Sequence, residues 1–484
     1  MNPAGTLRIG ATILFALALA ACDMLTGSDS GNNTDADNPA VVEDIWTWVS
    51  GSSIADRSGI YGTQGVANAG NIPGARFGTA SWVDAEDRLW LFGGFGRAAE
   101  GSLGELNDLW RFDGVSWTWV SGSFETGHQG EYGIQGVSAP QNVPPARSGA
   151  ASWIDHSGNL WLFGGAHQVT INGDTRFNDL WRFDGESWTW ISGDDDVNQA
   201  GTYGSKGVPA VGNTPGARDG AATWVDSNGH LWLFGGFGRD SDGSRGELND
   251  LWRFDGLNWT WVSGDNTADE RGEYPEEGPA LVERLPVPGA RTGAASWIDT
   301  YDNLWLFGGF GFDGDGERGR LSDLWYFNGA DWFWVSGADT IGRSGSYGTQ
   351  GTADPEHHPG ARSSAAHWID AEDRLWLFGG FGLDAVGAGG RLNDLWYFDG
   401  SHWTWISGSA TVEQAGSYGV QGVASADNVP GARSNSAFWI DGAGSLWLFG
   451  GRTASTDDRN DLWRFLARVS TLDVQGEVPR PGEY

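Results

Sequence analysis

Residues 147–155 read RSGAASWID, residues 160–165 read LWLFGG, residues 178–184 read NDLWRFD and residues 188–193 read WTWISG. Each segment has the length of a β-strand, and turn residues separate it from the next. The turns that join the first segment to the second and the third to the fourth are short and rich in Asp, Gly and Ser, which predicts two β-hairpins. The stretch therefore predicts a unit of four antiparallel strands.

The same pattern recurs along the chain with a period of about 71 residues, and tryptophan marks it most clearly. The 30 tryptophans fall into six sets, and the five complete sets have internal steps of 8, 20, 7 and 2, the first of them running from Trp82 to Trp119. The last set stops after Trp463, and the missing pair is Trp46 and Trp48 at the other end of the repeat region. A fixed period whose last element comes from the opposite terminus predicts a closed ring.

The composition of each segment predicts its place in the unit. Gly, Ala and Ser crowd the first segment, which favours an innermost strand where the units converge. The second segment is apolar on both faces, as in a sheet packed between neighbours, and the fourth alternates Trp-Thr-Trp, as in an outer strand with one packed face. A di-glycine ends the second segment in every repeat, from Gly93-Gly94 to Gly450-Gly451, and permits positive φ and close backbone approach.

Di-glycine on the second strand, an aromatic residue on the third and Trp on the fourth, six times over, resemble the kelch family. The resemblance implies an all-β fold, a six-bladed kelch-type β-propeller with four-stranded blades. The period exceeds the ~50 residues usual for kelch repeats, and Trp occupies the third strand where kelch repeats usually have Tyr. Residues 45–51 (IWTWVSG) are predicted to complete the last blade and close the ring. The alternative closing strand is 468–474, which lacks the Trp-x-Trp pattern.

The N-terminus predicts export. Arg8 precedes the apolar stretch 9–19, which is too short for a good membrane span, and residues 19–22 (LAAC) resemble the lipobox of bacterial lipoproteins. The resemblance implies acyl chains on Cys22; the alternative is an ordinary signal with an incidental Cys. Asp23 after the lipidated Cys implies inner-membrane retention in enterobacteria, so both the periplasmic side of the inner membrane and the outer membrane or cell surface stay open. The predicted organisation is a lipoprotein-type signal peptide (1–21), a flexible tether (22–43), the propeller (44–465) and a C-terminal tail (466–484).

Composition excludes several functions. The net charge of −34 argues against nucleic-acid binding, since phosphates would be repelled, and a single Cys permits no intramolecular disulfide. Copper chemistry of the galactose-oxidase type, known among kelch proteins, requires a Cys–Tyr cross-link, and the only Cys lies in the signal region. The eight His fall at different repeat positions, so we expect neither a metal site nor another cofactor. Residues 313–317 (DGDGE) offer oxygen ligands for Ca²⁺, but a solvated acidic loop is the alternative.

The long connections, from strand four to the next strand one and from strand two to strand three, share one face of a propeller, so binding is expected there. An Arg opens each first strand on that face, and the kelch resemblance makes these residues candidates for carboxylate recognition round the channel mouth. The alternative is that each Arg pairs with the Asp of its own blade's N-D-L-W motif. The candidate mouth residues are Arg76, Arg147, Arg218, Arg291, Arg362 and Arg433. Further candidates come from a recurring Tyr-Gly-x-Gln-Gly motif in the loops: Tyr61, Gln64, Tyr132, Gln135, Tyr203, Tyr347, Gln350, Tyr418 and Gln421.

Two functional hypotheses follow. The first is a monomeric, lipid-anchored binding protein outside the cytoplasm whose partner is an envelope protein or a glycan, anionic if the Arg residues engage it. The second is an enzyme, because some periplasmic kelch proteins act on sialic acid as mutarotases or epimerases. No catalytic residue emerges from the sequence, and near-perfect repetition favours the first hypothesis.

Overall fold

The computed structural model describes residues 44–167, 175–275, 285–453 and 457–467. They belong to one compact unit, Val42–Tyr484; a second unit, Met1–Val41, holds the predicted signal peptide and most of the tether and lies outside the described residues. The alternative closing strand and most of the predicted tail also lie outside them. All regular elements of the described residues are β-strands, which confirms the all-β fold class.

The antiparallel strands form six blades, of which the second is divided into a four-stranded and a two-stranded sheet, and the inner strands contact one another in a closed circle. Blades 1 to 5 occupy 76–121, 147–192, 218–263, 291–336 and 362–407, and blade 6 combines 433–466 with the N-terminal strand. The inner strands are Ala80–Val83, Ala151–Ile154, Ala222–Val225, Ala295–Ile298, Ala366–Ile369 and Ala437–Ile440, preceded in four blades by Arg76–Phe77, Arg218–Asp219, Arg291–Thr292 and Arg362–Ser363. The second strands are Leu89–Arg97, Leu160–Phe163 with Ala166–His167, Leu231–Arg239, Leu304–Phe312, Leu375–Leu383 and Leu446–Arg452. The third strands are Leu103–Phe112, Thr175–Arg176 with Leu180–Phe183, Arg245–Phe254, Arg318–Phe327, Gly389–Phe398 and Asp458–Leu466. The outer strands are Trp117–Ser121, Trp188–Ser192, Trp259–Ser263, Trp332–Ser336, Trp403–Ser407 and Ile45–Ser50.

The N-terminal strand closes the ring as the sequence predicts. Ile45–Ser50 pairs antiparallel with Asp458–Leu466, with Trp46 opposite Phe465 and Trp48 opposite Trp463. Trp46 is 1% exposed and packs between blades, with its ring centroid 5.4 Å from that of Phe378. The last blade therefore has four strands, and the outer edge of its third strand is paired.

The second strand does not end at the di-glycine in most blades. In blade 1 it continues to Arg97 and pairs with a third strand that begins at Leu103, so the two-to-three connection is a long hairpin rather than a loop. The di-glycine forms a bulge, with φ of 63° at Gly93 and 92° at Gly94. A Cβ on Gly93 would lie 2.7 Å from the carbonyl oxygen of Leu106, so glycine is required there.

In blades 1, 2, 3, 5 and 6, the loop that arrives from the preceding outer strand runs back along the outer edge of the blade. In blade 1 the Gly65 N–H donates to the Trp119 carbonyl and the Asn71 Nδ2 donates to the Trp117 carbonyl. These bonds occupy backbone acceptors of an outer strand that would otherwise be exposed. The equivalent backbone bonds occur in blades 2, 3, 5 and 6, so in these five blades the outer edge is protected against pairing with another chain.

A circle of backbone hydrogen bonds surrounds the central channel where each inner strand begins. The residue that follows each blade's Arg dipeptide donates its N–H to the carbonyl of the equivalent residue in the preceding blade, at 2.7–3.0 Å, and the sixth bond closes the circle. All six residues have positive φ, between 56° and 67°. We call them the collar: Gly78, Gly149, Gly220, Gly293, Ser364 and Asn435.

Candidate functional site

The six candidate Arg residues do not surround the channel mouth. Each side chain is 0–1% exposed and points into its own blade, where it forms a bidentate pair with the Asp of N-D-L-W, with NH1–Oδ1 distances of 2.6–2.8 Å. In blade 3 the Arg218 Nε and NH1 also donate to the carbonyls of Gly216 and Gly235. The expectation of an Arg ring round the channel mouth is therefore wrong, and the alternative pairing is what the structure contains, so these six residues support neither an anionic ligand nor an enzyme site at the mouth. The residues that are internal are Arg76, Arg147, Arg218, Arg291, Arg362 and Arg433.

The candidate Tyr residues join the same buried clusters. In blade 3 the Tyr203 hydroxyl donates to Asp250 Oδ2 at 2.6 Å, and the Trp252 Nε1 donates to the same oxygen at 2.7 Å. Burial raises the pKa of Tyr203 and the Asp250 carboxylate raises it further, so the phenol stays protonated. Burial alone would lower the pKa of Arg218, yet the facing carboxylate raises it. Tyr61, Tyr132, Tyr347 and Tyr418 make the equivalent hydrogen bond, and so does Tyr274, whose loop departs from the motif.

The Gln residues of the motif are exposed, but two of them bond to their own blade. The Nε2 atoms of Gln135 and Gln421 lie 3.3 and 3.4 Å from the carbonyls of Gly193 and Gly51, at the ends of outer strands. Lys206 replaces Gln in blade 3, and its Nζ donates to the equivalent carbonyl at 2.6 Å. The motif is thus a local brace between loop and strand, while Gln64 and Gln350 are exposed on that brace.

The blades differ most at one position of the third strand, two residues before the Asn or Ser of N-D-L-W. Its side chain lies beside the residue that follows the di-glycine on the second strand, as Phe310 does opposite Arg320. We call this set the mouth ring, because it stands next to the start of the inner strands on the long-loop face. Three members are acidic and three basic: Glu105, Arg176, Glu247, Arg320, Arg391 and Asp458. An alignment of the six repeats shows that the charge at this position differs between blades. A search for residues that recur in every repeat does not detect such a position.

One half of the mouth ring is neutralised by ion pairs. Arg176 reaches the next blade and pairs with Asp219, and its guanidinium lies 4.6 Å from the Phe237 ring centroid. Arg318 donates through Nε to Glu247 Oε2 at 3.0 Å. These Arg side chains carry their counter-charges within the protein.

The other half, on blades 4 to 6, carries excess positive charge. Arg320 lies 4.1 Å over the Phe381 ring and donates through Nε to the Phe381 carbonyl. Arg391 has one distant carboxylate, Glu413 at 4.0 Å, and Arg452 lies 4.4 Å over Phe77 beside the channel. We call Arg320, Arg391 and Arg452 the cationic sector.

Electrostatics within the cationic sector favour an added anion. Burial lowers the pKa of Arg320 and of Arg391; for Arg391, the Glu413 and Asp458 carboxylates oppose this lowering and the neighbouring Arg452 adds to it. Within the described residues, the buried Nε of Arg391 has no hydrogen-bond partner, whereas the Nε of Arg452 forms an ion pair with Asp458. A carboxylate here would gain charge-assisted hydrogen bonds and relieve repulsion between two cations.

Asp458 is a buried carboxyl group beside Arg452, at the edge of the cationic sector. Its Oδ1 lies 3.3 Å from Arg452 Nε, and the residue is 1% exposed. Burial raises its pKa to about 6, and Asp56 raises it as well, against the lowering effect of Arg452. The group therefore changes charge close to neutral pH.

The acidic stretch 313–317 is used for local structure. Asp313 is 1% exposed, and its carboxylate accepts backbone N–H groups from Asp315, Glu317 and Ile341. No group of three or more metal-ligating side chains occurs among the described residues. Over the same residues, no helix has the length and apolar character of a membrane span.

One family model and several solved structures are similar to this chain. A model of the KLHDC2/KLHL20/DRC7 Kelch-repeats domain matches residues 63–199 and again residues 133–270, one repeat further along. The solved structure of YjhT is similar over 81% of this chain and 95% of its own, at 14% identity and a TM-score of 0.48. A fungal alcohol oxidase of the AA5 family, solved with copper, is similar over 84% of this chain and 76% of its own, at 12% identity and a TM-score of 0.42. No curated protein matches the chain in sequence.

Proposed function

We propose that this chain, whose kelch repeats form a six-bladed β-propeller, is a binding protein that captures an anionic partner at the channel mouth. The observation that carries the proposal is the cationic sector, where Arg320, Arg391 and Arg452 come from three consecutive blades. The expected partner is an envelope protein or a glycan that presents a carboxylate to this sector. Guanidinium forks suit that group because they donate two parallel hydrogen bonds.

The charge of the whole protein makes the cationic sector distinctive. A chain of net charge −34 repels anions over most of its surface, and its repeated Arg residues are neutralised inside the blades. The cationic sector is instead built from residues that differ between blades and are only partly compensated. Residues that break an otherwise regular repeat are better candidates for function than residues that keep it.

The test is titration of the purified protein with three carboxylated probes: N-acetylneuraminic acid, polygalacturonate and a Glu-rich peptide. The double variant Arg391→Gln/Arg452→Gln should weaken binding of the responsive probe at least tenfold, since each charged hydrogen bond contributes about 1.5–3 kcal/mol. The matched control Arg88→Gln/Arg374→Gln changes the net charge equally at turns on the opposite face. Equal losses in both double variants, or no binding of any probe to the wild type, would refute the proposal.

We further propose that the protein is exported and lipid-anchored through Cys22, which lies outside the described residues. Several acyl chains anchor a protein stably where one does not, and the sequence 19–22 is the support for this step. Cys22→Ala should move the protein from the membrane fraction to the soluble fraction. Membrane association that survives the substitution contradicts lipidation.

A second candidate function is a mutarotase or epimerase for an anionic sugar such as sialic acid. The observation that favours it is Asp458, a carboxyl whose pKa is raised to about 6 beside Arg452, since general acid–base catalysis works best with a pKa near the working pH. The rate of anomer interconversion of N-acetylneuraminic acid, followed by NMR, tests this function. We expect a rate above that of buffer alone that Asp458→Asn lowers; a rate equal to buffer removes the candidate.

A further inference from the structure

The central channel contains a cavity that is separate from the mouth ring. It has a volume of about 310 Å³ and is lined only by uncharged residues of the six inner strands. Two layers of side chains face it. One consists mainly of hydroxyl groups, and the other consists of β-branched aliphatic groups and lies nearer the face opposite the long loops, where short turns join the first and second strands. The hydroxyl layer is Ser81, Ser152, Thr223, Ser296, His367 and Phe438; the aliphatic layer is Val83, Ile154, Val225, Ile298, Ile369 and Ile440.

The hydroxyl layer loses its symmetry in blades 5 and 6. Four blades carry Ser or Thr at this position, whereas the next two carry His367 and Phe438. Their rings lie side by side, with centroids 4.3 Å apart, and the Trp297 ring lies 5.6 Å from His367. One side of the channel is therefore aromatic and the other side is open and small.

Hydrogen bonding leaves one acceptor in this layer short of a donor. His367 Nδ1 lies 3.3 Å from the Ala365 carbonyl, which can only accept, so Nδ1 carries the proton and Nε2 accepts. The nearest donor to Nε2 is the Ser296 hydroxyl at 3.4 Å. That hydroxyl has one proton and also faces the Thr223 carbonyl at 3.3 Å. It can serve only one of the two acceptors at a time.

The surroundings of His367 disfavour a charged guest. Burial lowers the pKa of His367 to about 4, so its ring is neutral at physiological pH. A charged guest would lose its hydration without gaining a counter-ion from the lining residues. A neutral guest with one donor would instead complete the hydrogen bonding of Nε2.

We propose that the channel binds one small neutral aromatic molecule that carries a single N–H or O–H donor. The donor bonds to His367 Nε2, and the ring packs against Phe438 and the aliphatic layer. The volume is sufficient, since an apolar cavity of about 150 Å³ holds benzene. This site involves no residue of the cationic sector and stands independently of the proposed anion binding.

Indole and benzofuran test the proposal, because they have nearly the same shape and only indole has an N–H donor. Calorimetric titration of the mature protein should give saturable binding of indole, with benzofuran about fivefold weaker for one lost hydrogen bond. His367→Ser introduces the residue that three other blades have at this position, so the fold should persist, and it should lower indole affinity to that of benzofuran.

The matched control is His156→Ser, at an exposed turn, which should leave both affinities unchanged. Thermal unfolding midpoints of both variants check that the fold is retained. Three results would overturn the proposal: no saturable binding of either compound, equal affinity of the wild type for both, or an unchanged preference for indole in His367→Ser. Failure of the anion titration described above would leave this outcome unaffected.

Discussion

Replacing Asp250 with Asn should destabilise the propeller by about 3–5 kcal/mol, the range for breaking a buried ion pair by removing one partner. Asp250 is 0% exposed and accepts four hydrogen bonds, two from Arg218 and one each from Tyr203 and Trp252. The substitution leaves the Arg218 charge uncompensated. It also converts one acceptor oxygen into a donor amide that faces other donors.

Urea unfolding of the purified protein, followed by tryptophan fluorescence, measures this decrease in the free energy of unfolding as a shift of the urea midpoint. Tyr203→Phe removes a single hydrogen bond to the same carboxylate and should cost about 1.5–3 kcal/mol. Arg88→Gln is the surface control, because its side chain is 35% exposed and exposed ion pairs contribute about 0–1 kcal/mol. If Asp250→Asn shifts the midpoint no further than Arg88→Gln, the buried cluster does not stabilise the blade and the structural role assigned to the six Arg residues is wrong.

Three further predictions concern closure, titration and backbone strain. Trp46→Ala should cost about 3–5 kcal/mol, because the ring is 1% exposed between blades 5 and 6; an unchanged urea midpoint would contradict closure by the N-terminal strand. The pKa of Asp458 lies at about 6 in the folded protein against an ordinary 3.8, so the folded state binds this proton more tightly and the contribution of Asp458 to stability should fall as pH rises from 4 to 6. Asp458→Asn removes that contribution, so the stability of the variant relative to wild type should rise over this range, and a profile parallel to wild type would refute the assignment. Gly93→Ala combines positive φ with a Cβ 2.7 Å from the Leu106 carbonyl oxygen, whereas Gly114→Ala has positive φ alone. The thermal unfolding midpoint should fall further for Gly93→Ala than for Gly114→Ala. Equal decreases would show that the close contact with Leu106 does not contribute.

Much of the fold was predictable because the same four-strand pattern occurs in every repeat. The spacing of Trp46 and Trp48 from the last incomplete set predicts the closing strand, and the pairing of Trp46 with Phe465 confirms it. The small residues of the inner strand predict its place beside the axis. What the pattern could not show is that the second strand continues past Gly94 to Arg97, since a di-glycine favours a strand end and a strand bulge equally.

The candidate site was harder to predict for a physical reason. A repeated residue such as Arg218 has the same sequence neighbours whether its guanidinium faces the channel or the Asp250 carboxylate. Only the orientation of the side chain decides between them. Arg391 and Asp458 could not be identified from the repeat pattern because they occupy the same repeat position with opposite charges. Their role depends on which charged side chains lie near them in space, such as Arg452.

The collar gives the channel a bore of fixed width. Each collar residue is both a donor to one neighbour and an acceptor from the other, so Gly149 bonds to Gly78 on one side and to Gly220 on the other. Moving one blade outward would break two of these bonds, at about 0.5–1.5 kcal/mol each, with no alternative partner in the circle. Molecules that enter from the long-loop face therefore meet an aperture that selects by size and does not adapt to what arrives.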